Sequence, residues 1–281
     1  MRTTFLRIVL GLCAAGALLP ASASAIVNGT PDTANVYSNV AVLRFFTPDG
    51  DTWRCSGTLV APNAIITAAH CTEGTDRVYY SFAVTRPTTN PEVDPTGWTK
   101  GGDNRDGVQN IYTNPLWDGD LQLNSLDDIG FIVLDAPVVG VSKLSPLPAP
   151  SFSLADLGKG ATFTAVGYGV TWVKGIAENG GQKPTLVALL QREFVTTQGL
   201  TKLTSDTMVL TSNVNGTPKE GGSTCSGDSG GPLFHGDTIV AVTSWGTSSK
   251  CLTGKSGYQR LDSAEARAFW GPMLEIAAGR L

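Results

Sequence analysis

Gly227-Asp228-Ser229-Gly230-Gly231-Pro232-Leu233-Phe234 sets a serine among glycines, directly after an acid and just ahead of a strand-like pair. Glycine permits turns that other residues resist, so a hydroxyl in such a loop is a candidate nucleophile with backbone amides bared beside it. The first five residues also match a Gly-x-Ser-x-Gly elbow on letters alone. An elbow of that kind runs into a helix and has its acid later in the chain than its serine. Here Leu233-Phe234 reads as a strand, His235-Gly236-Asp237 as a hairpin tip, and Thr238-Ile239-Val240-Ala241-Val242 as the return strand. Short Val, Ile, Leu and Thr runs broken by Gly, Pro, Asn and Asp recur along the chain, which points to an all-β architecture.

A serine hydroxyl is inert at neutral pH unless a base, a group that orients the base, and donors for the developing oxyanion stand beside it. The chain holds only two histidines, so the search for a base is short. His70 lies in Thr67-Ala68-Ala69-His70-Cys71, directly after the apolar strand-like run Ala64-Ile65-Ile66. His235, at the hairpin tip, reads as an exposed turn residue separated from Ser229 by a strand. The acid is sought in Leu126-Asp127-Asp128-Ile129-Gly130-Phe131-Ile132-Val133-Leu134, where two carboxylates head a continuous apolar run. A carboxylate at the mouth of a buried strand is costly unless paired, which makes Asp128 the candidate partner of an imidazole N–H. Asp127 reads as a turn residue at the strand entrance. Both His70 and Asp128 precede the serine, which also contradicts the esterase-type elbow.

Ile26-Val27-Asn28-Gly29, the His70 segment, Asp128-Ile129 before its apolar strand, the Ser229 loop and Ser244-Trp245-Gly246 follow one another in that order. Together they resemble the chymotrypsin-like (trypsin-fold) serine proteases, over nearly the whole chain after residue 25. The resemblance implies two packed six-stranded Greek-key β-barrels, residues 26–145 and 146–262, a C-terminal helix over 263–281, and an active site in the cleft between the barrels. It implies a secreted serine endopeptidase in which His70 is the base, Asp128 orients it and Ser229 attacks to form an acyl-enzyme. Gly227 and Ser229 would offer the oxyanion hole through their N–H groups. Activity should then rise as the imidazole loses its proton, through roughly pH 6 to 7. A protease-fold binding protein without catalysis is the second reading; such relatives generally lose a member of the triad, and all three candidates are present here.

The resemblance also implies an activation pair. A freed Ile26 ammonium would fold inward onto Asp228 and fix the loop that carries the oxyanion donors. Arg2 and Arg7 precede an apolar stretch over residues 8–19, and Ala21-Ser22-Ala23-Ser24-Ala25 supplies small residues for signal peptidase, so residues 1–25 read as a signal peptide. Cleavage after Ala25 would itself create the active N-terminus, and cleavage after Ala23 would leave a dipeptide to be trimmed. Cys13 would be discarded with the leader. The apolar stretch is too short for a spanning helix, and no later stretch is apolar enough to be one.

Substrate choice rests on fewer residues. The resemblance puts Ser223 at the floor of the side-chain pocket, where an acid would select lysine or arginine and a serine leaves the floor uncharged. Ser244, Trp245 and Gly246 would line the substrate backbone and one wall, with Gly257, or Ser256 in an alternative register, on the other wall. An open pocket of this kind suits large apolar or aromatic side chains; a serine on the wall would narrow it toward a small apolar preference of the elastase type.

The cysteines after residue 25 are Cys55, Cys71, Cys225 and Cys251, which allow three pairings, and export favours oxidation over zinc binding. The resemblance selects Cys55–Cys71 and Cys225–Cys251. A net charge of −4 and the lack of any Lys/Arg run argue against nucleic acid or an anionic membrane as partner. Protein or peptide substrates, no cofactor and a monomeric state are expected. Residues 90–107 look least ordered. Within them Asp103-Asn104-Arg105-Asp106-Gly107 is faintly like a calcium loop but lacks a closing glutamate, so no metal is expected. Residues 208–222 are expected to be mobile, because the family's frequent third disulfide is missing. Tyr168 replaces a usual tryptophan, and Gly130 stands where alanine is common. Trp98, Trp117 and Trp172 fall in polar segments and are expected to cap barrel ends rather than to line substrate subsites. Ser263 reads as the N-cap of the last helix, with Pro272 kinking or restarting it.

Overall fold

The computed structural model describes residues 26, 29–121, 127–158, 160–176, 182–188, 191–198, 200–211, 222–247, 251 and 255–280. The expected leader, with Cys13, lies outside them. So do residues 212–221 of the stretch expected to be mobile, and the side chain of Trp172.

The chain is mostly β. In chain order the strands are β1 (Thr30–Pro31), β2 (Val40–Phe46), β3 (Thr52–Ala61), β4 (Ala64–Thr67), β5 (Arg77–Ser81), β6 (Thr99–Asp103), β7 (Ile111–Thr113) and β8 (Gly130–Val133). They continue with β9 (Thr162–Gly167), β10 (Val170–Ile176), β11 (Gln182–Ala188), β12 (Glu193–Gln198), β13 (Leu200–Leu203), β14 (Thr207–Thr211), β15 (Pro232–His235), β16 (Thr238–Gly246) and β17 (Lys255–Arg260). One helical turn, α1 (Ala69–Thr72), follows β4, and α2 (Ala264–Ala277) closes the chain.

Among the described residues the strands form a seven-stranded sheet, β6-β5-β2-β3-β4-β8-β7, and an eight-stranded sheet, β1-β12-β9-β15-β16-β17-β14-β13, with β10 and β11 as a separate hairpin. The pairings therefore add strands to the six expected on each side. β1, although within the first stretch of sequence, pairs with β12 of the second sheet through Thr30↔Phe194 and Pro31↔Glu193.

The apolar runs that announced buried strands are buried on both faces. Along β2, Val40 and Val42 enter the cluster between the sheets, while Ala41, Leu43 and Phe45 enter the core of the first sheet. β4 repeats this with Ala64 and Ile66 on one side and Ile65 on the other, and β8 with Phe131 and Ile132. Period-2 alternation with no polar face is what a strand between two cores requires. A third cluster, with Phe163, Leu233, Val240 and Tyr258, fills the second sheet.

The final helix starts where Ser263 Oγ accepts the Ala266 N–H at 3.1 Å. Phe269, Trp270, Met273 and Leu274 pack on the intersheet cluster, and Asn63 donates to the Ala277 carbonyl at 2.9 Å, which ties the helix to the first sheet. Of the kink or restart expected at Pro272, a restart is not seen: one helix runs on through it. Residues 90–107 are described too, and include β6 and a 3-10 turn, Asn104–Asp106. The Asp103 carboxylate, the head of the faint calcium pattern, is engaged by Arg105 and Lys100.

Candidate active site

The ends of two neighbouring strands bring a base and an acid together. β4 and β8 are antiparallel partners with Thr67 opposite Gly130. Just beyond Thr67 the chain turns into α1 carrying His70, and just ahead of Gly130 stands Asp128. His70 Nδ1 lies 2.9 Å from Asp128 Oδ2, and the His70 backbone N–H donates to Asp128 Oδ1 at 2.9 Å. Ser244 Oγ donates to the same Oδ2 at 2.6 Å, and the Asp128 N–H is accepted by Gln259 Oε1 at 3.1 Å. The carboxylate is fully buried, so these three donors replace the water it has lost. Gly130 shows why a side chain is excluded: a Cβ there would lie 2.5 Å from the Ala68 carbonyl oxygen, under the His70 turn. The Cys55–Cys71 disulfide ties the same turn to β3, so the cysteines beside His70 serve as a cross-link.

The serine loop is pressed against that strand end. Gly227 and Gly230 adopt φ of 97° and 74°, conformations that favour glycine. A Cβ on Gly230 would come 2.0 Å from Thr67 Oγ1. The Ser229 carbonyl accepts the Ser56 N–H at 2.8 Å, and Gly230 donates to the Thr243 carbonyl at 2.8 Å. Asp228, Gly230 and Gly231 all spend their N–H groups inside the protein, whereas those of Gly227 and Ser229 have no acceptor among the described residues. Ser229 and His70 line one cavity of about 370 Å³, and no hydrogen bond joins them in this structure. His235 lies elsewhere, with Nδ1 3.1 Å from the Thr162 carbonyl oxygen and its ring near Phe163.

A family model described as Trypsin matches residues 26–266. The chain belongs to the trypsin family. It is a serine endopeptidase, and the chain is 29% identical over 221 residues to a trypsin of Saccharopolyspora erythraea, covering 79% of this chain and 86% of the relative. It is 28% identical over 234 residues to serine protease 1 of Drosophila melanogaster, covering 82% of this chain and 78% of the relative. Among solved structures, HL collagenase superposes with a TM-score of 0.63 at 17% identity, covering 90% of this chain and 99% of the other. Human heparin binding protein does so with 0.61 at 18%, covering 88% and 96%. At those identities the two structures speak for the fold alone.

In this trypsin-family protease the cavity beyond Ser229 is lined by hydroxyls. Ser223, Thr224 and Ser256 are buried and converge, with Ser256 Oγ 3.2 Å from Thr224 Oγ1 and 3.4 Å from Ser223 Oγ. Among the described residues no carboxylate lines the cavity, and Lys255 stands at its exposed edge. Gly257 is not the wall residue expected. The register Trp245↔Gly257 and Gly246↔Ser256 puts Gly257 under the indole, where a Cβ would lie 2.0 Å from Trp245 Cε2, and turns Ser256 into the cavity. Ser244 touches the cavity but spends its hydroxyl on Asp128, and Gly246 is exposed at the rim. The Cys225–Cys251 disulfide joins two residues of the cavity wall.

Three neighbours of the site were not read from the sequence as site residues. Gln259 supports Asp128 from β17. Trp117, expected to cap a barrel end, lies with its ring centroid 6.5 Å from that of His70 and donates Nε1–H to Glu73 at 3.0 Å. Trp98 does enter the intersheet core. Glu193 is the third. The Ile26 N–H donates to Glu193 Oε2 at 3.2 Å, so the expected contact of Ile26 with Asp228 is not made. The physical reason is that Ile26 follows Ala25 in the full chain and its nitrogen is an uncharged peptide N–H, with no ion-pair attraction to Asp228. The Asp228 oxygens accept instead from Gly169 at 2.7 Å and Cys225 at 2.8 Å. Burial pushes the Asp228 carboxyl up to about 7, against the pull of those two amides and of nearby Arg54.

Proposed function

We propose that the mature protein is a secreted, monomeric serine endopeptidase acting through Ser229, His70 and Asp128. The observation that carries the reading is the 2.9 Å His70–Asp128 hydrogen bond at the wall of the cavity that Ser229 also lines. With Nδ1–H given to Asp128, the other ring nitrogen is the basic one and can take the serine proton as the hydroxyl attacks a peptide carbonyl. The buried carboxylate then stabilises the imidazolium, which passes its proton to the leaving amine. The unspent N–H groups of Gly227 and Ser229 are the donors for the oxyanion, and water repeats the sequence on the acyl-enzyme.

Cleavage ahead of Ile26 would turn its N–H into an ammonium. Glu193 pairs with Gly167, and a Cβ on Gly167 would lie 2.2 Å from Asp228 Oδ1, so two buried carboxylates flank one glycine. Among the described residues Asp228 makes no ion pair, and it is the acid that gains most from an arriving ammonium. Glu193 holds Ile26 nearby until cleavage.

The cavity suits an uncharged side chain on the acyl side of the scissile bond. Its volume accommodates large apolar or aromatic residues, and the Ser256 hydroxyl on the wall favours smaller ones as the second reading. Profiling cleavage of a peptide library by the mature protein, beside its Ser229→Ala variant, tests activity and pocket together. Cleavage after Lys or Arg as the main products would refute the pocket reading, and undiminished cleavage by the variant would refute the mechanism.

A further inference from the structure

The cavity beside Ser229 is walled by hydroxyls, and one of them is left over. Thr224 Oγ1 donates to Ser256 Oγ at 3.2 Å, Ser223 Oγ donates to the Thr224 carbonyl at 3.2 Å, and Ser244 Oγ is given to Asp128. Thr243 lines the same cavity and is only 5% exposed, yet its Oγ1 is buried with no hydrogen-bond partner among the described residues. Its backbone is held firmly. The Thr243 N–H donates to the Gly231 carbonyl at 2.9 Å and its carbonyl accepts the Gly230 N–H at 2.8 Å, which pins this residue to the loop that carries Ser229. A buried hydroxyl with neither bond made is costly, and a bound group that supplies the missing partner recovers the loss.

The chemistry of the wall decides what that group is. A lysine or arginine side chain finds no carboxylate among the described residues of the cavity. A carboxylate would give up its water for hydroxyls alone, because the cation of the described lining, Lys255, stands at the exposed edge. An apolar side chain fits the volume of about 370 Å³ but leaves the Thr243 hydroxyl as it is and strips water from the rest of the wall. A carboxamide is uncharged and carries both an acceptor oxygen and a donor NH₂, and hydroxyls can answer either one by rotating. We propose that Thr243 is a specificity-determining residue and that the cavity selects a carboxamide side chain, glutamine or asparagine, on the acyl side of the scissile bond. This rests on the proteolytic reading above, and narrows its uncharged side chain to one class by lining chemistry where volume alone does not choose.

The test uses the mature wild-type enzyme and peptides identical except at the acyl-side residue, which is Gln, Met, Glu, Asn, Leu, Asp or Phe. Gln and Met match in length, as do Asn and Leu, so each pair isolates the amide. At least one carboxamide should exceed its apolar counterpart in kcat/KM by about tenfold, the size of one buried hydrogen bond gained against one left unmade. It should also exceed the matching acid. That advantage should fall toward unity in Thr243→Val, which keeps the branched shape and removes the hydroxyl; reading a ratio of two substrates on one sample separates selectivity from any loss of folded protein. Apolar peptides cleaved as fast as their carboxamide partners in the wild type, or Phe fastest of all, would overturn the selection and leave the proteolytic reading standing. Faster cleavage of Glu or Asp would make the cavity an anion pocket and overturn it too. An undiminished ratio in Thr243→Val would remove Thr243 from the role. Failure to cleave any peptide would instead remove the proteolytic reading, and the selection with it.

Discussion

Ile26 donates its backbone N–H to Glu193 Oε2 at 3.2 Å, and both residues are fully buried. An ammonium formed at that nitrogen would arrive among two buried acids rather than in water. Protein beginning at Ile26 should therefore be more stable than the chain that still carries residues 1–25. The expected difference in Tm is several degrees, since ~1 kcal/mol shifts a domain of this size by about 2–4 °C. Scanning calorimetry of the two forms on a Ser229→Ala background measures it. The gain should shrink most in Asp228→Asn and less in Glu193→Gln; equal Tm values for the two forms would contradict the account.

Asp228 gives the uncleaved chain a pH dependence whose sign is set by burial. Its carboxyl is pushed up to about 7 from an ordinary 3.8, so folding favours the protonated form. The contribution is fully present below about pH 4 and is lost as pH rises through about 7. Denaturant unfolding across that window should show stability falling in the uncleaved wild type, and Asp228→Asn should remove part of the fall. An identical slope in both proteins would count against an unpaired buried acid.

Ser244→Ala removes a 2.6 Å donor from the carboxylate that orients His70. A hydrogen bond to a charged group is worth about 1.5–3 kcal/mol, so kcat should drop by roughly ten- to a hundredfold. KM should change little, because the hydroxyl is turned away from substrate. Steady-state kinetics separate the two, and a rise in KM with kcat intact would make Ser244 a substrate contact instead.

Gly130→Ala drives a methyl to within 2.5 Å of the Ala68 carbonyl oxygen. The clash is with backbone and cannot be relieved by a rotamer change, so a cost of about 1–3 kcal/mol in denaturant unfolding is expected. The turn bearing His70 must shift, and activity should fall further than stability alone explains.

Ser223→Asp would put a carboxylate into the cavity beside the Ser256 and Thr224 hydroxyls, at its floor in the proposed reading. Peptide profiling should then show cleavage after Lys and Arg that the parent protein lacks. An unchanged profile would mean that Ser223 is not at the floor.

The parts of the site that were legible in the sequence are those in which a local pattern dictates a local shape. Ala64-Ile65-Ile66 and Ile129-Gly130-Phe131-Ile132 read as buried strands, and the residues at their ends meet when the strands pair. Glycines around Ser229 announced a loop of positive φ. Gln259 and Glu193 were silent because each reaches the site from a distant element, and nothing in its own neighbourhood marks it; Trp117 stood out in its polar segment but was read as a barrel cap, because only the fold brings its ring near His70. Gly257 was misassigned because a register irregularity between Thr243 and Trp245 decides which of two adjacent residues faces the cavity.

The most direct test is labelling of the mature protein with a fluorophosphonate, which bonds only to an activated serine, followed by mass spectrometry of the modified peptide. The account predicts a single adduct on Ser229 that forms rapidly in the wild type and is lost in His70→Ala. No adduct, an adduct on another serine, or equal labelling in the His70 variant would contradict it.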